Sequence, residues 1–183
     1  MPTAARDVAA ILRSRLPGLG TKKLHKMLYY CQGHHLATFG EPLFGETISA
    51  WDMGPVVGQL WYEERNGPAG APGGAELDEA ELNTIGYVLS RYGTLTGTDL
   101  EVLSHGEPPW AEANRGRLPR TSAPISLDVM REYFATGGAP GDAEDDEPAL
   151  DSADVSRWLA GAADRRGPDI PDDLDALRAR LSA

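Results

Sequence analysis

The sequence feature that most constrains the fold is the apolar pattern between residues 21 and 39. Its core-facing positions recur at the i, i+3, i+4, i+7 and i+11 spacing of a single helix face, and they are Leu24, Met27, Leu28, Cys31 and His35. Thr21 is a residue type that commonly caps a helix N-terminus, and Phe39-Gly40 provides a glycine end. We therefore predict a central helix here, in which Gly33 leaves room for a close neighbour.

Other segments also have helical patterns with start and stop signals. They are residues 6–16, ended by Pro17-Gly18; 54–66, begun by Gly54-Pro55; 78–92, with Asp78 and Glu81 as a capping box; 98–105, with Thr98 and Glu101 as another; and 126–134, capped by Ser126. Residues 41–53 lose this period and are typical of an extended or looped chain, which is compatible with a short β-hairpin near residues 43–53. The pattern predicts a mainly α fold, a single compact helical domain of about six to seven helices.

Composition divides the chain into three parts. Residues 1–136 carry the helical patterns, and within them the Gly/Pro-rich residues 67–74 are typical of a flexible surface loop. Residues 137–150 combine Gly, Pro and acidic side chains, which predicts a linker. Residues 151–183 contain two short amphipathic patterns, so we predict a C-terminal helical tail that either docks on the domain or waits for a partner.

The charge balance limits the partners. The chain has 17 basic and 28 acidic residues and a formal net charge of -11. Such a surface repels nucleic-acid backbones, so we predict no direct nucleic-acid binding. Because we find no signal-peptide pattern and no apolar run near the roughly twenty residues that span a bilayer, we predict a soluble cytoplasmic protein without a membrane partner.

The titratable residues do not form a convincing catalytic or metal-binding set. Cys31 lies one helical turn from His34 or His35, but zinc sites use three or four ligands in paired short motifs. The place of Cys31 on the apolar face predicts a buried, inert thiol. We therefore predict no metal, no cofactor and no enzymatic activity. An enzyme that uses His105 and Glu107 as acid and base stays open as an alternative.

Three motifs resemble the signature of the Panacea domain. They are Lys23-Leu24-x-Lys26-Met27-Leu28-Tyr29-Tyr30-x-Gln32-Gly33, Ala50-Trp51-x-x-Gly54-Pro55-Val56-Val57 and His105-x-x-Pro108-Pro109-Trp110. The resemblance covers residues 6–134. It implies an antitoxin-type protein that binds and neutralises a toxin encoded beside it. One branch of the family resembles an adaptor that hands its toxin to a protease.

Several signature residues have both a structural and a binding interpretation. The basic cluster at Lys22, Lys23 and Lys26 either meets an acidic toxin surface or forms a solvated face. Of Tyr29 and Tyr30, we expect one inside and one at the rim. The candidate partner-binding residues are Lys26, Tyr30, Trp51, Asp52, Tyr62, His105 and Trp110. The structural alternative for the last two is that Trp110 covers the core while His105 bonds to a backbone carbonyl.

The function predicted from these patterns is that of an antitoxin that neutralises its cognate toxin by direct binding. The acidity of the chain would complement a basic toxin and speed the encounter. Two alternatives stay open. The first is a proteolytic adaptor that delivers the toxin to an ATP-dependent protease, and the second is an enzyme that reverses or prevents toxin action.

Overall fold

The computed structural model describes residues 3–67 and 75–137. These residues form seven helices and three short strands. The elements are α1 (Ala5–Arg15), α2 (Thr21–Phe39), β1 (Ile48–Trp51), β2 (Gly54–Val57), α3 (Gly58–Asn66), α4 (Glu79–Tyr92), α5 (Gly97–His105), α6 (Pro108–Asn114), β3 (Ala123–Pro124) and α7 (Leu127–Ala135). The prediction of a mainly α fold with a short hairpin is confirmed.

Helix α2 is the centre of the domain, as its apolar pattern predicts. Helices α1, α4, α5 and α7 and strand β2 all pack against it, and nearly all of its residues from Leu24 to Leu36 are buried. Phe134 of α7 lies so close to Gly33 that a Cβ there would be 2.2 Å from the Phe134 ring. The glycine therefore sets the approach of these two helices, and the predicted close neighbour is confirmed.

The ends of α2 follow the predicted signals only in part. Gly40 ends the helix in the left-handed conformation at φ 77°, as predicted. The predicted N-cap is wrong, because Gly20 occupies that position and Thr21 is already helical. No side chain caps this N-terminus, and no acidic residue lies in its first turn.

The hairpin corrects the predicted start of the third helix. Strand β1 is central in an antiparallel sheet of order β2-β1-β3, and Trp51 pairs with Gly54 across the turn. Gly54-Pro55 therefore begins a strand, and α3 starts only at Gly58. A proline is tolerated in β2 because that strand lies at the sheet edge, and the β-branched residues that follow favour extended chain.

The remaining helix starts differ in how well their caps were predicted. Asp78 accepts from the Glu81 N–H, and Ser126 accepts from the Val129 N–H, as predicted. The capping box of α5 is formed by Thr96 and Asp99 rather than by Thr98 and Glu101. The Glu101 carboxylate instead pairs with Lys22 of α2.

The surface loop predicted at 67–74 lies outside the described residues except for Gly67. The linker at 137–150, apart from Gly137, and the tail at 151–183 lie outside them as well, so these three stay predictions. No helix within residues 3–67 and 75–137 has both the length and the apolar character that a membrane crossing needs.

Candidate functional site

A groove of about 520 Å³ opens beside the N-terminal end of α2. Its other walls come from the β1–β2 turn, from β2 and α3, and from the loop before β3. The residues that line it are Thr21, Lys22, His25, Lys26, Trp51, Asp52, Met53, Val56, Trp61, Arg120, Thr121 and Ser122. We call this feature the groove. It brings together three of the predicted partner-binding residues, namely Lys26, Trp51 and Asp52.

The apolar wall of the groove is built from two tryptophans. Trp51 and Trp61 meet edge to face, with their ring centroids 5.2 Å apart. The Trp51 indole donates a hydrogen bond to Ser122 Oγ at 3.2 Å, and the Arg65 guanidinium lies 5.1 Å from the Trp61 ring centroid. Met53, at the hairpin turn, is 55% exposed. The wall is thus oriented by polar contacts, and its edge presents an apolar side chain to solvent.

Asp52 connects the β1–β2 turn to the loop before β3 through hydrogen bonds. Its carboxylate accepts from the Arg117 guanidinium at 2.7 Å and from the Arg120 backbone N–H at 2.9 Å. The hydrogen bond from Arg117 is the main reason why the pKa of Asp52 lies below its usual value. Arg120 has a φ of 62°, which is uncommon for a residue with a side chain. Asp52 therefore holds a strained residue in place at the groove mouth.

Lys26 is the most deeply buried cation of the groove, with only 1% of its surface exposed. Its Nζ donates to the Pro55 carbonyl at 3.3 Å. Burial lowers the pKa of Lys26 to about 8. Gly54 makes this packing possible, because its φ is 104° and a Cβ would lie 2.7 Å from Lys26 Cε. The interpretation of Lys26 as part of a solvated face is therefore wrong.

His25 is the second buried titratable group at the groove. Its Nδ1 accepts from the Val57 N–H at 3.3 Å, and its buried Nε2 has no hydrogen-bond partner. Burial lowers the pKa of His25 to about 4, so the ring is neutral at pH 7. A neutral imidazole that accepts at Nδ1 carries its proton on Nε2. His25 thus holds an unused donor beside the groove.

The two signature tyrosines lie in the core beyond the groove. The Tyr29 and Tyr30 hydroxyls donate to the two carboxylate oxygens of Glu107, at 2.7 Å and 3.0 Å. Both rings are fully buried, and burial raises the pKa of both hydroxyls. The expectation that one of them reaches the rim is wrong, because both are needed to bond the buried carboxylate. We call Tyr29, Tyr30 and Glu107 the Glu107 cluster.

His105 and Trp110 support the groove from behind. Trp110 is 9% exposed, and its indole donates to the Trp51 carbonyl at 3.2 Å, which agrees with the structural alternative that Trp110 covers the core. The His105 ring stacks on Trp110 with centroids 3.9 Å apart, and burial lowers its pKa. The His105 Nε2 is buried without a hydrogen-bond partner, so it does not make the expected bond to a carbonyl.

The remaining candidates lie elsewhere. Tyr62 is 65% exposed on α3 but does not line the groove. Cys31 is fully buried, as predicted, and burial raises its pKa. The part of the chain that the structure describes contains no group of three His, Cys, Asp or Glu side chains arranged to hold a metal ion.

Sequence reasoning did not include Met53, Trp61, Arg120 and Ser122 among the candidate residues. Trp61 precedes the chosen Tyr62 by one position, and because adjacent residues of a helix point about 100° apart, only Trp61 lines the groove. No sequence signal ties Arg120 or Ser122 to the hairpin, because about seventy residues separate them along the chain.

Comparison with protein families confirms the resemblance. Residues 24–111 match the model of the family described as "Antitoxin SocA-like, Panacea domain". The matched residues include α2 from Leu24 onwards, the hairpin, the Glu107 cluster and Trp110, and they end before Arg120 and Ser122. No curated protein and no solved structure matched the chain.

Proposed function

We propose that this protein is an antitoxin that neutralises its cognate toxin by direct binding, and that the groove receives part of the toxin. The family match over residues 24–111 supports an antitoxin role in general. The observation that carries the direct-binding proposal is the groove itself, where Trp51, Met53 and Trp61 form an apolar surface beside several cations. Tryptophan and arginine are among the side chains enriched at the energetic centre of protein interfaces.

The rigidity of the groove favours binding. The Trp51 side chain is held by Ser122, and its carbonyl is held by Trp110. Because these groups are already ordered, a partner that docks against them loses little additional conformational entropy. Met53 adds an adaptable apolar contact at the edge, a role that suits its unbranched side chain.

The chemistry of the buried groups also supports binding over catalysis. Burial holds the Cys31 thiol in its protonated form, which is a poor nucleophile. Glu107, the other half of the alternative acid–base pair with His105, already accepts two tyrosine hydroxyls. Neither group has the exposure or the freedom that acid–base or nucleophilic chemistry needs.

The net charge of -11 complements a basic toxin over long range. Opposite charge accelerates the encounter of two proteins and matters less for the lifetime of the complex. We therefore propose that the acidic surface steers the toxin and that the groove holds it.

The experiment that tests this function is co-expression of the chain with the small protein encoded beside it. We expect growth rescue and a complex that elutes as one species in size-exclusion chromatography. Rescue without a complex would contradict direct binding. The half-life of the toxin in cells separates the adaptor alternative, because an adaptor shortens it while a masking antitoxin does not.

A further inference from the structure

We infer that the groove binds a short toxin segment in which a carboxylate lies next to an apolar side chain, although the antitoxin as a whole is acidic. This inference rests on the proposed function and names the chemistry that the groove selects.

The local charge of the groove is opposite to that of the whole chain. Its lining includes the cations Lys22, Lys26 and Arg120 and a single acid, Asp52. The Asp52 carboxylate is already neutralised by Arg117, whose side chain is 6% exposed. Lys22 is paired with Glu101. The charges left to a bound group are therefore those of Lys26 and Arg120.

Lys26 is an incompletely compensated buried cation. An ammonium group has three donors, and the hydrogen bond that the structure gives Lys26 is a long one to Pro55. Buried charges are normally paired, because an unpaired one loses its solvation without compensation. Glu101, the acid that most influences Lys26, is engaged by Lys22. An anion bound at this end of the groove would supply the missing partner.

Three further donor groups line the groove or its mouth. The N-terminus of α2 has no side-chain cap and no acid in its first turn, and Thr21 and Lys22 line the groove there. His25 is 98% buried, lines the groove and keeps an Nε2–H without a partner. Within residues 3–67 and 75–137, the exposed Arg120 guanidinium makes no ion pair. All three features favour a negatively charged occupant.

The opposite wall requires an apolar side chain in the occupant. Trp51 and Trp61 present ring surfaces there, with Met53 at the edge. A free inorganic anion would leave this wall uncovered. A volume of about 520 Å³ holds a few side chains rather than a folded element. A peptide segment that pairs one acidic with one apolar residue satisfies both walls at once.

The test uses two peptide probes that differ only in charge, acetyl-Glu-Phe-amide and acetyl-Gln-Phe-amide. Each is titrated into the isotope-labelled full chain while the indole N–H signals of Trp51 and Trp61 are followed by NMR. We expect both signals to shift, with a Kd about fivefold lower for the acidic peptide. The variant Arg120→Gln should reduce that preference, whereas Arg131→Gln, which removes an exposed arginine of α7, should leave it unchanged.

Equal Kd values for the two peptides would overturn the inference. The inference would also be overturned if neither indole signal shifted at millimolar peptide. It would be overturned as well if Arg120→Gln kept the full preference for the acidic peptide. Because the probes replace the toxin, a failure here leaves direct toxin binding intact. Failure of the proposed function itself is detected separately, by co-expression without rescue or without a complex.

Discussion

The Glu107 cluster and the groove both contain buried polar side chains, but they differ in how many of these side chains have hydrogen-bond partners. In the cluster, each carboxylate oxygen of Glu107 accepts a tyrosine hydroxyl. At the groove, His25 keeps a donor without a partner, and the bond from Lys26 to Pro55 is 3.3 Å long. Buried polar groups that are all paired hold a fold together, whereas unpaired ones are costly unless a ligand completes them.

Residues of one signature motif therefore serve two different regions of the molecule. Tyr29 and Tyr30 lie one helical turn after Lys26 on α2, yet they face a closed core while Lys26 lies at an open groove. We infer that the tyrosines specify the scaffold and that the groove residues specify the partner. Variants at the two regions should therefore affect stability and toxin binding to different degrees.

The largest effect on stability is expected for Glu107→Gln. A glutamine has only one acceptor oxygen, so one buried tyrosine hydroxyl loses its acceptor and the other loses a charged acceptor. We expect the free energy of unfolding to fall by about 3 kcal/mol, measured by urea denaturation. The matched control is Glu112→Gln on the exposed side of α6. Equal, small losses in both variants would mean that the cluster does not stabilise the fold.

Gly54→Ala should have the next largest effect on stability, and it acts at the groove. The φ of 104° is strained for alanine, and its Cβ would lie 2.7 Å from Lys26 Cε. We expect a loss of about 2 kcal/mol in thermal or urea unfolding together with weaker toxin binding. Gly58→Ala is the control, because its Cβ would make an ordinary 3.7 Å contact with Trp51. If the control is equally destabilised, the packing of Lys26 beneath Gly54 is not the cause.

The pH dependence of stability should report His25. The pKa of His25 is about 4 in the folded chain and 6.5 when unperturbed. Between these values the unfolded chain binds a proton that the folded chain does not, so stability falls as the pH drops from 6.5 towards 4. The contribution of His25 to this fall is about 3 kcal/mol.

The variant His25→Asn isolates this contribution. Its Oδ1 can accept from the Val57 N–H in place of Nδ1, and the side chain does not titrate. We would measure the free energy of unfolding in urea at about pH 4.5 and about pH 7, near the two ends of that window. The two values should differ less in the variant than in the parent chain. The charged groups that influence His25 are Glu64, Lys26 and Arg13, and all three are retained. An unchanged pH dependence would contradict the role of His25.

Lys26→Met should change stability least while weakening toxin binding. It removes a buried charge at the expense of one long hydrogen bond, so the free energy of unfolding should stay within about 1 kcal/mol. Toxin affinity, measured by calorimetry, should fall about tenfold because the bound carboxylate loses its cation. The control is Lys23→Met, which also removes a lysine and its hydrogen bond to a backbone carbonyl, that of Gly93, but away from the groove. Equal toxin affinities in the two variants would mean that Lys26 has no specific role in toxin binding.

The scaffold could be predicted from sequence more fully than the groove. The period of α2 identifies its buried face, and local caps identify the starts of α4 and α7. Gly54-Pro55 was misread because the same dipeptide suits the first turn of a helix and the start of an edge strand. Only tertiary pairing with β1 decides between them.

The groove could be predicted only in part, because its walls come from distant segments. Lys26, Trp51 and Asp52 were identified, but Ser122 and Arg120 join them through contacts between residues about seventy positions apart. Lys26 lies in a predicted helix, yet its burial depends on the hairpin above it. Local patterns do not contain these contacts.

The most direct test of the groove compares Met53→Lys with Phe39→Lys in co-purification of the full chain with its toxin. The two parent side chains are similarly exposed, at 55% and 47%, but Phe39 lies at the opposite end of α2, about 25 Å away. We predict that Met53→Lys abolishes the complex and the growth rescue while Phe39→Lys retains both. A complex that survives Met53→Lys but is lost in Phe39→Lys would contradict the assignment of the groove as the toxin-binding surface.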